Sequence, residues 1–358
     1  MRQIFSVLAI NPGSTSTKLA VFNNLEPVFE QVIRYTSDDL APFACVIDQL
    51  QFRMQGIRQA LDEQGIKLSG LAAVVGRGGL LKPIEGGTYA VNAAMLEAMR
   101  LAERGEHAAN LGAVIARELA AEAGIPAYIV DPVVVDEMAA IARLSGLPGY
   151  DRASIFHALN QKAVARRVAA ELGKAYEQLN LVVAHLGGGI SVGAHQRGRV
   201  IDVNDALGGE GPFTPERAGS LPVKQVVELC CCSSYRLDEV KKLLVGQGGL
   251  VAYLGTNDGR EVVKMIDGGN DKATLVYQAM AYQVAKEIGS AAAVLAGKVN
   301  AVILTGGLAH DAMLVQWIAA RVNFIAPVKI IPGEDEMIAL TEGALRVLRG
   351  EEAAKEYR

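Results

Sequence analysis

The 358-residue sequence predicts an α/β fold of two duplicated lobes, each a mixed β-sheet flanked by helices. Three observations carry this prediction. Apolar, β-prone runs joined by glycine turns open the chain at residues 5–35, and the same order returns at 181–203. After each opening, helical periodicity alternates with short apolar runs. The two copies lie about half a chain apart, which fits two related lobes and not a solenoid.

Phe5–Ile10 is apolar, Asn11-Pro12-Gly13 turns the chain, Lys18–Phe22 returns, and Val28–Tyr35 adds a third strand. Ser37–Glu63 reads as a helix stopped by Gly65, and Leu71–Val75 as a buried strand ending in Gly76-Arg77-Gly78-Gly79. Asn92–Arg104 and Ala108–Ala123 read as helices, and Ala127–Val130 as a strand ending at Asp131. In the second half, Leu181–Ala184 runs into His185-Leu186-Gly187-Gly188-Gly189, Ile190–Ala194 returns, Gly198 turns, and Val200–Val203 follows. Laying Asn11 on His185 matches the two openings element by element. Further helices are expected at Asp151–Leu172, Pro222–Leu229, Leu237–Leu244, Ala273–Ala296 and Thr341–Leu348, with a strand at Ala301–Leu304 before Gly306-Gly307. The charged tail Glu351–Arg358 is expected to fray. The N-terminal lobe then spans 1–136, with the helix of 341–358 packing back on it, and the C-terminal lobe spans 137–340. With no Pro- or Ser-rich linker between them, the lobes are expected to meet across a cleft, where small-molecule sites tend to form.

Composition narrows the function. Hydrophobic residues make up 51% and charged residues 21%, enough apolar surface to exclude a disordered chain. A net charge of −4 leaves no basic field for nucleic acid. No run reaches the roughly 18 uncharged apolar residues a membrane span needs, and the N-terminus reads as a strand and not as a signal peptide, so a cytoplasmic protein is expected. Cys230, Cys231 and Cys232 are consecutive with no C-x-x-C spacing, and read as reduced thiols in a helix core.

Glycine is in excess, with 38 residues against a background of about 7%. Three clusters follow apolar strands: Gly13 in the loop Asn11–Lys18 (with Ser14, Ser16 and Lys18), Gly187-Gly188-Gly189, and Gly306-Gly307. Backbone N–H groups in such turns converge on anions, and side chains there would block the approach. One such turn more often just closes a hairpin. Three at equivalent places in a duplicated fold point to phosphate or nucleotide binding. No P-loop, G-x-G-x-x-G or protein-kinase set is present. Gly246–Gly249 and Gly268-Gly269 read as ordinary turns.

Eight segments, NPGSTSTKLAVF, GRGG, HAAN, IVDPV, SIFHALNQKAVARR, AHLGGGISVG, PERAGS and PGEDEMIALTEGALRVL, resemble the acetokinase family, within the superfamily of acetate and sugar kinases, Hsp70 and actin. They are most similar to the butyrate kinases of that family, in order over essentially the whole chain. The resemblance implies the actin-like ATPase (ribonuclease H-like) type for both lobes, an active site in the interlobe cleft, and nucleotide binding by the C-terminal lobe. It implies ATP/ADP and Mg²⁺ as cofactors, a short-chain carboxylate as substrate, and a homodimer or larger homo-oligomer.

Carried over residue by residue, the resemblance puts Asn11 at the nucleotide phosphates. Arg77 and Arg217 bracket the carboxylate and the transferred phosphoryl group, and His157 and His185 contact phosphate oxygens. Asp131 lies near the reacting centre and the metal. Within Glu334-Asp335-Glu336 the register stays open, with Glu336 favoured as the residue near Mg²⁺. His107 and Phe156 fall at the substrate pocket. Acetate kinases typically read His-Leu-Gly-Asn-Gly where this chain has Gly188, and carry a bulky residue where it has Gly79. The glycine at 79 is expected to leave room for a longer acyl chain.

The implied chemistry agrees with the residue types. A carboxylate is already ionised at pH 7, so no general base is needed, and the sequence offers no obvious nucleophile. Transfer of a metaphosphate-like group is a matter of positioning and charge, which forked arginines serve. Each residue also has a plainer reading: Arg77 as a surface loop charge, Arg217 as a helix-terminal charge, His185 and His157 as packed histidines, Asp131 as a turn residue before Pro132, and Lys18 as a solvated hairpin side chain. His195 and His310 read as structural. The alternatives are an acetate or propionate kinase, a sugar or polyol kinase with an aspartate base, and a non-kinase ATPase.

Overall fold

The computed structural model describes residues 3–231 and 235–358. The chain forms two compact units, Met1–Asp136 with Asp335–Arg358, and Glu137–Glu334. The first unit begins with β1 (Ser6–Pro12), β2 (Ser16–Asn23) and β3 (Glu26–Arg34), continues with α1 (Ser37–Leu40), α2 (Leu50–Glu63), β4 (Ala73–Gly76), β5 (Thr88–Ala90), α3 (Ala93–Leu101) and α4 (Asn110–Ala123), and reaches β6 (Ala127–Val130). The second unit carries α5 (Ala140–Arg143), α6 (Ala158–Glu171), β7 (Asn180–Leu186), β8 (Ile190–Gln196), β9 (Arg199–Val203), α7 (Val223–Cys231), α8 (Leu237–Leu244), α9 (Gly249–Leu254), α10 (Gly259–Asp267), α11 (Asp271–Val294), β10 (Ala301–Gly306), α12 (Ala312–Val322) and β11 (Val328–Pro332). The last elements, α13 (Glu336–Leu348) and β12 (Lys355–Glu356), belong to the first unit.

Among the described residues the two sheets run β12-β5-β6-β4-β1-β2-β3 and β11-β10-β7-β8-β9. Each contains an antiparallel meander (β1–β2–β3, β7–β8–β9) whose first strand is extended by parallel strands (β4 and β6, β10 and β11). The duplication read from the sequence is therefore a duplication of topology. Helices cover both faces of these sheets, so the central strands are continuous apolar runs: Val7–Ile10, Leu181–Ala184 and Ala301–Leu304 are all buried. Side-chain caps start several helices, with Asn92 accepting from Met95 N, Asn270 from Ala273 N and Asp311 from Met313 N.

The helix α4 lies so close to the end of β4 that a Cβ on Gly112 would strike the carbonyl oxygen of Arg77, and a Cβ on Gly76 would strike that of Gly112. A helical Gly→Ala change ordinarily stabilises by up to about 1 kcal/mol. At Gly112 the backbone clash is larger, so Gly112→Ala is expected to destabilise by about 2 kcal/mol, read by urea unfolding. A stability equal to or above wild type would contradict this packing.

Several expectations are corrected. The helix expected at Ser37–Glu63 is broken, because Pro42 removes a donor and its ring clashes with the preceding turn. The helix expected from Asp151 begins only at Ala158, since the preceding segment is held elsewhere. Arg152 N donates to Arg143 O, and Ile155 O accepts from Ala206 N. The Arg152 side chain is tied to Asp202, Glu210 and the carbonyls of Ala142 and Val203. The last helix begins at Glu336 and not at Thr341, which moves the second boundary from 340 to Glu334/Asp335. The tail does not fray: β12 pairs in parallel with β5, Tyr357 is buried, and its carbonyl accepts from Asn92 Nδ2. Cys230 and Cys231 are exposed on α7 and not in a core; Cys232 lies outside the described residues.

His195 is fully buried on β8, and burial, with Lys162 and Arg166 adding to it, holds its pKa well below the ordinary imidazole value. The unfolded chain then binds a proton at this ring that the folded chain refuses. The stabilisation is complete above about pH 6.5 and is lost as pH falls toward the depressed folded value. Unfolding free energy is expected to fall by on the order of 1 kcal/mol per pH unit in that window, and His195→Gln to flatten the slope. Equal slopes in both proteins would contradict it. His310, also expected to be structural, is exposed at the end of the short turn that precedes α12.

Candidate active site

In the first unit, the site residues gather at the C-terminal ends of β1 and β4. Asn11 lies on β1, and Arg77 directly follows β4, where its N–H donates to Ile10 O. The helix α13 brings Glu336, in its first turn, onto both. One Glu336 carboxylate oxygen accepts from Asn11 Nδ2 and the other pairs with Arg77 Nη1. The acidic run is thereby resolved: Asp335 is the N-cap of α13, Glu336 joins Asn11 and Arg77, and Glu334 belongs to the second unit. Asp131 directly follows β6 with φ +36°, is buried, and accepts from Gly87 N at 2.6 Å. His107 accepts from Ala109 N through Nδ1. Desolvation, then the Arg77 charge, lowers its pKa, although much of the residue reaches solvent.

Beneath this group lies Arg53, fully buried on α2, a residue sequence reasoning missed. Its guanidinium donates to Gly13 O, Ser14 O, Ser16 O and Thr17 Oγ1, so the first glycine loop is built around a buried cation. Gly13 N donates to Ser16 O within the turn, Ser14 is exposed, and Lys18 is exposed on β2 opposite Asn11. An arginine between the apolar positions of an amphipathic helix was the available signal.

Gly79 is corrected. A Cβ there would meet Asn110, 2.6 Å from its Cα and closer still to its side-chain oxygen. Asn110 Oδ1 accepts from Leu80 N and its Nδ2 donates to Gly105 O, which fixes it there. The space that a side chain at 79 would take is filled by the start of α4 and leaves no added room for an acyl chain.

The second unit repeats the arrangement. His185 lies on β7, topologically equivalent to Asn11, and His157 is the N-cap of α6. The two imidazoles stack, centroids 3.7 Å apart and planes 9° apart. His157 Nδ1 lies 2.8 Å from Ser191 Oγ, and His185 Nδ1 2.8 Å from Asn160 Oδ1. His185 Nε2 is buried and makes no hydrogen bond; Glu334 Oε1 lies 3.3 Å from it. Phe156, expected at the substrate pocket, is buried.

Arg217 completes the group. Its backbone N–H donates to Thr214 Oγ1, and that hydroxyl donates to Gly188 O at 2.7 Å, which ties the arginine loop to the glycine turn. Its Nη1 donates to Ala206 O, and its Nε is buried with no hydrogen-bond partner. Gly248 and Gly249 are not an ordinary turn. They pack against the backbone of Thr214–Ala218, and Gly249 has φ +59°. A Cβ on Gly189 would strike Arg217 Nη1 and lie 3.3 Å from His157 Cε1. One on Gly187 would lie 3.0 Å from His185 Nε2. Beside Gly307 there is open space, and nothing approaches within 3.8 Å of a Cβ on Gly188. Not every glycine amide is available to a ligand: Gly187 N donates to Gly189 O and Gly306 N to Gly333 O. What remains is a turn that a side chain would fill, faced by two stacked imidazoles and by a guanidinium whose buried Nε has no hydrogen-bond partner. That chemistry fits an anion.

Residues 151–330, which hold this second group, match the acetokinase family. The chain belongs to that family. Among solved structures it is similar to the acetate kinase of Porphyromonas gingivalis (19% identity, TM-score 0.78, covering 96% of this chain and 100% of that one). It is similar to the propionate kinase of Francisella tularensis subsp. tularensis SCHU S4 (18%, 0.72, 95% and 98%). It is more distantly similar to the ROK hexokinase of Thermus thermophilus (15%, 0.52, 97% and 100%). At these identities the likeness establishes the fold, which is that of the actin-like ATPases. Among the described residues no helix is long and apolar enough to cross a membrane.

Sequence reasoning also missed Asn160, Gln161 and Ser191, which hold the acetokinase histidines. Their signals were present in the spacing: Asn160 and Gln161 stand three and four residues after His157, and Ser191 pairs with His185 across β7–β8.

Proposed function

We propose that this member of the acetokinase family is a short-chain carboxylate kinase, which converts ATP and butanoate to ADP and butanoyl phosphate. The observation that carries the reading is the convergence of Arg217, His157 and His185 on the Gly187–Gly189 turn. In this reading a carboxylate oxygen attacks the γ-phosphorus in line, the β–γ bridging oxygen leaves with ADP, and no proton transfer is required. Arg217 neutralises the charge spread over the equatorial oxygens of the transferred group, with the stacked His157 and His185 placed beside it. Arg77 takes the acceptor carboxylate in its fork, in place of Glu336. Asn11 and the glycine turns receive the nucleotide phosphates.

Among the described residues no three His, Cys, Asp or Glu side chains form a metal cage. Magnesium asks for none, since it binds through one or two carboxylates, water and phosphate. Glu336 and Asp131 are the carboxylates suited to hold it, where it would neutralise phosphate charge.

Butanoate is supported by the run of motifs shared with butyrate kinases. Acetate or propionate is the second reading, favoured by the acetate and propionate kinases of similar fold. A steady-state profile over straight-chain acids of two to six carbons separates them. The proposal expects the highest kcat/KM at butanoate, and a maximum at acetate or propionate would replace it with the second reading.

A further inference from the structure

We propose that Ser191, Gln161, His195 and Tyr176 are positioning residues that hold His157 in the tautomer with its proton on Nε2, so that the ring offers an N–H to an anion at the Gly187–Gly189 turn. The alternation of β8 puts Ile190, Val192 and Ala194 into the core beneath α11, and Ser191, Gly193 and His195 on the opposite face. There the first turn of α6 brings Gln161 against them, which creates a buried polar string beside the buried Lys162–Glu137 ion pair.

The direction of each hydrogen bond follows from groups that can act in only one way. Ser191 O can only accept, and Gln161 Nε2 lies 3.0 Å from it, so the amide NH2 faces Ser191 and its Oε1 faces His195. His195 Nε2, 2.9 Å from that oxygen, must therefore donate. An uncharged ring then accepts at Nδ1, which lies 2.6 Å from the Tyr176 hydroxyl, a group able to donate. The low pKa of this buried ring is consistent with the uncharged form.

At the other end, Ser191 Oγ receives Gln161 Nε2–H at 2.9 Å and the backbone N–H of His157 at 3.4 Å, which occupies its two lone pairs. Its own proton is left for His157 Nδ1 at 2.8 Å. His157 Nδ1 is thus an acceptor, and the ring proton sits on Nε2. Gly193 leaves room for the string, since a Cβ there would lie 2.6 Å from Gln161 Oε1 and 3.1 Å from His195 Nε2.

The stacked partner is held the other way. Asn160 turns its NH2 toward the carbonyls of Gly333 and Glu334, so its Oδ1 accepts from His185 Nδ1–H. His157 Nδ1 thus accepts where His185 Nδ1 donates. The identity of the anion rests on the kinase reading; the tautomer does not.

The test is a two-bond ¹H–¹⁵N correlation spectrum of the full chain labelled with ¹⁵N-histidine, taken above the pH at which His157 titrates and assigned with His157→Gln. The expected pattern for His157 is a lone-pair-type Nδ1 and a protonated-type Nε2. The reverse pattern, or two averaged shifts, overturns the proposal. Ser191→Ala and Gln161→Leu are expected to move the two nitrogens toward averaged values, and a His157 pattern unchanged in both removes the string from its role. A chain that turns over no carboxylate but keeps the expected pattern refutes the kinase reading and leaves this one standing.

Discussion

Replacing Arg217 with alanine is expected to lower ATP-dependent acyl phosphate formation by about 10³-fold or more, with the far-UV CD spectrum and melting temperature close to wild type. The kinetic loss follows from the position of the guanidinium, which faces the Gly187–Gly189 turn with a buried Nε lacking a hydrogen-bond partner. The survival of the fold follows from how the loop is held. The Arg217 N–H donates to Thr214 Oγ1 and its carbonyl accepts from Thr214 N, and neither bond needs the side chain. Arg217→Lys keeps a charge but loses the planar fork, and is expected to recover only part of the rate. Near-wild-type turnover in Arg217→Ala would remove this residue from the transfer.

The second large effect is expected from Gly189→Ala. The added methyl would strike Arg217 Nη1 and crowd His157 Cε1, so the guanidinium must move. The obstructing atom is the end of a flexible side chain and not backbone, so stability should change little. The rate should not escape: a displacement of about 1 Å in a positioning group costs roughly 10²-fold. Measuring kcat/KM beside the melting temperature separates the two. A rate loss that only tracked unfolding, or no rate loss, would show that Arg217 need not stay where it is.

These two changes also mark what the sequence could convey. Asn11, Arg77, His185 and Arg217 carry scarce chemistry in conspicuous places, after strands or in glycine- and proline-bearing loops. The paired meanders were legible because strands buried on both faces leave continuous apolar runs, as at Val7–Ile10 and Leu181–Ala184. The short strands Thr88–Ala90, Val328–Pro332 and Lys355–Glu356 were not, since each exists only because a partner strand lies beside it.

The same limit governs the site. Arg53 looked like any helix arginine until the carbonyls of Gly13, Ser14 and Ser16 closed around it. The glycine at 79 seemed to mark empty space, but Asn110, distant in sequence, fills it. His157 reads as a residue inside a helix, whereas the tether of Arg152 delays the helix and makes it the N-cap. In each case the deciding contact is long-range, and local pattern does not name the partner.

Transfer of a phosphoryl group from ATP to a short-chain carboxylate is read by its product. Its most direct test is trapping of the acyl phosphate as a hydroxamate from the purified chain with Mg·ATP and each acid in turn. Hydroxamate is expected in equal amount to the ADP released, dependent on ATP and on the carboxylate. Absence of hydroxamate with acetate, propionate, butanoate and isobutyrate alike would contradict it.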